Sequence, residues 1–95
     1  MVKISIKDDE IIISGHANYD DYGKDIVCAS VSTIAITTIN AIIEFDKDSI
    51  NVEESVGYLK INILKHTKET DTLISNMNKL FEELELKYPK NIKIN

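Results

Sequence analysis

An α+β two-layer sandwich, with two helices on a mostly antiparallel sheet in the order β-β-α-β-β-α-β, is what this sequence predicts. Three observations lead there. Short stretches of alternating apolar and polar residues occur near both ends and in the middle of the chain, the period-two signature of half-buried strands. Two longer segments repeat their apolar residues every three to four positions, the spacing of a helix face. The 95 residues suffice for one domain, 1–95, with a single modest core.

The elements follow in order. Val2, Ile4 and Ile6 alternate with Lys3, Ser5 and Lys7; a polar Asp8-Asp9-Glu10 then leads into the β-branched run from Ile11 to Ser14. Residues 2–15 therefore read as a hairpin. The next nine residues, Gly15 to Gly23, are polar and bounded by glycine, with the composition of a surface loop that has a task. Residues 25–45 are rich in β-branched side chains, which favours strand. Their length, and the recurrence of Val27, Val31, Ile34, Thr38, Ala41 or Ile42, and Phe45, favour helix. A second stripe of Ile26, Thr33, Ile36 and Ile39 is also largely apolar, so this helix must be covered on two sides. A second copy of the chain would supply the second cover, and a homodimer is expected. Residues 50–54 read as a strand, and Tyr58 to Leu64 as another with Leu59, Ile61 and Ile63 on one face. A helix over 69–88 carries Leu73, Met77, Leu80 and Leu84 with Ile74 and Phe81 beside them; Thr67 or Thr70 caps its start and Pro89 prevents its continuation. Residues 91–95 form a last edge strand.

Composition excludes several function classes. Apolar residues are 43% and charged residues 28%, an ordinary globular mix. All 11 cations are lysine, and 16 acids leave a net charge of −5, which argues against direct nucleic-acid binding because phosphate neutralisation needs a basic face. The single cysteine rules out an internal disulfide and any multi-cysteine zinc module. Cys28, His16, His66 and an acid total four ligands, but no CxxC or HxxxH spacing supports a metal, so no metal and no cofactor are expected. Residues 26–43 lack charge over 18 positions, the lower edge of a membrane span. Six of them are Ser, Thr or Asn, which fits a buried helix better than a membrane segment. No secretory-type apolar stretch follows the first lysine, and the reading is cytoplasmic.

One constellation has the residues for covalent chemistry. With Asp25 as N-cap, Cys28 falls in the first turn of the long helix, where free amides and the helix dipole favour a thiolate. His16 ends the second strand, and the intervening loop is long enough to bring it over that helix start. A thiol with a base in reach is the minimum for acyl transfer. Asp25 either caps the helix or orients the imidazole, and Ser32 follows Cys28 by one turn on the same side. The bland reading stays open: a lone cysteine in an apolar helix is commonly a small buried hydrophobe.

The run Gly15-His16-Ala17 … Tyr22-Gly23-Lys24-Asp25-Ile26-Val27-Cys28-Ala29-Ser30-Val31-Ser32, followed by Asn40-Ala41-Ile42, resembles the signature of the bacterial ribosomal-processing cysteine protease family, Prp. Ser30 and Val31 stand where some members carry smaller residues. The resemblance implies a Cys–His dyad on Cys28 and His16, with Asp25 and Ser32 in support. It implies a small homodimer that removes the N-terminal extension of large-subunit ribosomal protein L-twenty-seven. The loop residues Gly15, Tyr19, Tyr22 and Gly23 would then contact or gate the substrate. Four acids (Asp20, Asp21, Asp46 and Asp48) are read as a patch that attracts a basic ribosomal protein. Two other functions fit the same residues: a ribosome-associated assembly factor that binds that protein without cutting it, and a thiol hydrolase of small acyl substrates.

Overall fold

The computed structural model describes residues 1–15 and 22–95; for Tyr22–Asp25 it describes the backbone alone. The elements are β1 (Val2–Ile6), β2 (Glu10–Ser14), α1 (Tyr22–Asp46), β3 (Ile50–Ser55), β4 (Tyr58–Ile63), α2 (Lys68–Lys87) and β5 (Ile92–Ile94). The expected α+β sandwich and its order are both found. The five strands lie in the order β3-β4-β2-β1-β5. Three of the four pairings are antiparallel, and β5 runs parallel to β1 at one edge.

Alternation decides which face is covered. Val2, Ile4, Ile11, Ile13, Leu59, Ile61, Ile63 and Ile92 are buried in one core, while Lys3, Lys60 and Lys93 point to the open side. On that open side Lys60 lies 3.2 Å from Glu10, a carboxylate that raises the Lys60 pKa. The helices close the core and pack against each other. From α2 come Thr70, Ile74, Met77 and Phe81, at helical spacing. The centre of that face is thus Ile74 and Phe81, which the sequence placed beside the stripe; Leu73 and Leu84 are only partly buried. Phe81, the bulkiest of these side chains, takes the fully enclosed position.

The long helix starts earlier than the 25–45 expected from Asp25 as a cap. Tyr22 is its first residue, so Asp25 lies within the first turn and Cys28 is the seventh residue, in the second turn. Val27, Val31, Ala35, Ile39 and Ile42 face the core. Phe45, expected on that stripe, is 68% exposed. A 25-residue helix is roughly 37 Å long, whereas strands of five or six residues run about 20 Å, so the helix is longer than the strands it packs on. Ile26, Ile36 and Ile43 form an exposed apolar outer face that no other described residue covers. The segment is apolar and long enough to cross a membrane by length and composition, yet its inner face belongs to this core.

A chain of hydroxyls closes the far end. Thr67 Oγ1 accepts from the Thr70 amide at 3.1 Å and so caps α2. The Thr70 hydroxyl donates to Ser49 Oγ at 3.0 Å, and the Ser49 hydroxyl donates to the Asp46 carbonyl at 2.9 Å. These buried oxygens therefore satisfy one another.

Candidate active site

Cys28 and Ser32 project from successive turns of α1. Cys28 is buried, at 6% exposure, among the core residues, and Ser32 is half-buried beside it. The position of Cys28 changes the expected electrostatics. Only the first four amides of a helix are free, and the dipole's influence fades within the first turn. The seventh residue gains little from either, so a thiolate at Cys28 needs another partner.

Strand β2 delivers the chain to that partner's place in sequence. Gly15, its terminal neighbour, has φ +79°, and its amide donates to the Gly57 carbonyl at 2.8 Å. A Cβ on Gly15 would overlap the Met1 carbonyl oxygen. Gly57, in the β3–β4 turn, has φ +68°, in the left-handed region that favours glycine or asparagine. The residue before His16 is thus pinned on both sides. His16 and Tyr19 lie outside the described residues, as do Asp20 and Asp21. Tyr22, Gly23 and Asp25 are placed by the backbone of the first turn of α1. Asp46 and Asp48 sit at or beyond the other end of this helix. With Asp20 and Asp21 outside the described residues, the expected four-acid patch lies outside them as well.

The second histidine has a different task. His66 Nε2 meets Asp9 Oδ1 at 2.7 Å and Nδ1 meets Asp71 Oδ1 at 2.8 Å, tying the β1–β2 turn to the first turn of α2. Hydrogen bonds donated to the Asp9 carboxylate first and then to Asp71 raise the His66 pKa above its ordinary value, with desolvation opposing. Both ring nitrogens are thereby engaged, and among the described residues no cluster of three or more His, Cys, Asp or Glu is placed to hold a metal. The sign of the pH effect follows from the raised pKa. The clamp's contribution is complete below the unfolded-state pKa and is lost as pH rises through the folded one. Melting temperature should therefore fall as pH rises above about 6.5, the ordinary histidine value, and His66→Gln should flatten that slope. An unchanged slope in the variant would show that the clamp is idle.

The comparisons with known proteins follow this geometry closely. The family model described as "Cysteine protease Prp" matches residues 1–93. The chain belongs to the Prp cysteine protease family. A relative from Staphylococcus aureus strain Mu50, the ribosomal processing cysteine protease Prp, is 30% identical over 101 residues, covering 99% of this chain and 95% of its own. The Prp protein of Mycoplasma genitalium is also 30% identical, over 95 residues, covering 100% and 95%. The crystal structure of S. aureus Prp in complex with a substrate peptide superposes with a TM-score of 0.87 at 27% identity, over 99% of this chain and 95% of that one. A second, with a covalently linked product peptide, gives 0.83 at 28% identity, with the same coverage. The Prp family thus accounts for the sheet order, both helices and the place of the cysteine-bearing helix in the sandwich.

Two features of the site escaped the sequence. The Gly15–Gly57 hydrogen bond joins residues far apart in the chain, and no local pattern announces it. Glu54 interrupts the Ile50, Val52 alternation on the inner side of β3, a signal that was available.

Proposed function

We propose that this protein is a cysteine endopeptidase that removes the N-terminal extension of large-subunit ribosomal protein L-twenty-seven in the cytoplasm. One observation carries the choice of nucleophile: a member of a cysteine protease family has a single cysteine, Cys28. The peptide complexes of the S. aureus relative support a peptide substrate.

The chemistry assigns each group a role. His16 takes the thiol proton of Cys28, and the thiolate attacks the scissile carbonyl. The tetrahedral intermediate collapses as the imidazolium protonates the departing amine, leaving an acyl-thioester on Cys28. A water, deprotonated by His16, then attacks the thioester; its collapse releases the new carboxylate, and the proton returns to the sulfur. Asp25 and Ser32 support the pair. Gly15 and Tyr19, together with Tyr22 and Gly23 in the first turn of α1, contact or gate the substrate. With little help from the helix end, the imidazole is the main source of thiolate stabilisation.

The test is mass spectrometry of the extended ribosomal protein after incubation with the enzyme. A shortened product carrying a new N-terminus is expected, together with the released peptide. Binding without any product would favour the assembly-factor reading, and turnover of simple thioesters alone would favour a small-substrate hydrolase.

The exposed Ile26, Ile36 and Ile43 support a homodimer built on the outer face of α1. Replacing Ile43 by glutamate buries a charge in such an interface, and analytical ultracentrifugation should show the dimer converted to monomer. A wild-type protein that sediments as a monomer at all concentrations would remove the dimer from the proposal.

A further inference from the structure

The strand registers align one residue from each strand in a row across the core side of the sheet. The row reads Ile94, Ile4, Ile13, Leu59 and Glu54. Four of its members are apolar, and Ile4, Ile13 and Leu59 are buried. The fifth, at the β3 edge, is an exposed carboxylate where the alternation of Ile50 and Val52 calls for another apolar side chain. Glu54 therefore lies on the helix-facing side of its strand. With Ile13, Val31, Ser32, Ala35, Ile36 and Leu59 it lines a notch between α1 and the sheet. The enclosed space is only about 20 Å³, room for one water, so the notch swallows no side chain.

Three further facts give the notch a direction. Ser32 is one helical turn past Cys28, a rise of about 6 Å, so this surface is continuous with the cysteine-bearing stretch of α1. Glu54 has no ion-pair partner among the described residues, whereas Glu53, on the open face, is met by Lys60 at 3.9 Å and by the Asn62 amide at 2.9 Å. β3 is an edge strand, so among the described residues the backbone groups on its outer side have no partner strand and offer an extended peptide a place to continue the sheet. A carboxylate beside apolar walls attracts a cation more strongly than one in open water, because the local dielectric is lower.

We infer that Glu54 is a specificity-determining residue that receives a lysine or arginine side chain of the peptide substrate, lying extended along β3 and close to the scissile bond. The inference rests on the protease reading above. A charge on the inner side of an edge strand also discourages edge-to-edge association, and that role alone would leave specificity untouched.

The experiment measures kcat/KM of wild type, Glu54→Gln and Glu54→Lys on peptides spanning the junction, each basic residue being replaced in turn by glutamine or glutamate. For one basic position, Glu54→Gln should lose about threefold to fivefold in kcat/KM on the parent peptide, mainly through KM, as expected for an exposed charge pair. It should lose nothing on the peptide with glutamine at that position. The wild-type preference should shrink as salt is added, and Glu54→Lys should favour the glutamate peptide. Equal kcat/KM for Glu54→Gln and wild type across the series overturns the inference, even where light scattering shows new association. Absence of turnover by wild type overturns the protease reading and this inference with it; turnover with unaltered specificity overturns this inference alone.

Discussion

Replacing Cys28 by alanine should abolish cleavage of the extended ribosomal protein, lowering kcat by at least ~10⁴-fold, since removal of a covalent nucleophile leaves only binding and polarisation. The fold should survive. Cys28 is buried in the core, but alanine is itself a good helix former and removes one heavy atom, a loss of about 1 kcal/mol. Circular dichroism and thermal melting check the second half of the expectation, and mass spectrometry checks the first. His16→Ala should give a comparable loss of cleavage. It should also slow alkylation of Cys28 by iodoacetamide at neutral pH, as the proposed dyad requires. Cleavage by Cys28→Ala within about tenfold of wild type would sink the mechanism, since no other cysteine could replace it.

Gly15→Ala should be the most damaging small substitution near the site. It forces an L-residue to φ +79° and drives a methyl group into the Met1 carbonyl oxygen, so the strand end must shift. A loss of about 2–3 kcal/mol is expected from the strain alone. The shift would also disturb the Gly57 hydrogen bond and, with it, the direction in which the chain leaves for His16. Denaturant titration and peptide turnover should fall together. Gly57→Asn is a suitable control, because asparagine tolerates positive φ and the accepting group is a backbone carbonyl. Wild-type stability in Gly15→Ala would show that the Met1 contact yields freely.

The sequence reveals the sandwich through particular residues. Leu59, Ile61 and Ile63 alternate without interruption, and Thr67 and Pro89 bracket α2, so these elements and their faces follow from local rules. The start of α1 does not. Asp25 has the chemistry of a cap, and Gly23 disfavours helix by about 1 kcal/mol, yet the helix runs back through both. A long helix anchored by Val27, Val31 and Ala35 on a sheet gains more from packing than one glycine costs. Phe45 has the right spacing, yet in the last turn of the helix it faces solvent. At the site, Cys28 and Ser32 are legible as neighbours one turn apart. The pinning of Gly15 is not, because the contact that fixes it comes from the other hairpin. Glu54 was visible only as an irregularity; its meaning depends on knowing that β3 is an edge and that α1 lies over it.

The pairing of β5 with β1 is the most non-local contact of the sheet. Val2 and Ile4 take as outer neighbours Ile92 and Ile94, about 90 positions further along the chain. Closing so long a loop costs chain entropy before any ladder hydrogen bond forms, so this edge should be among the last parts of the sheet to assemble during folding.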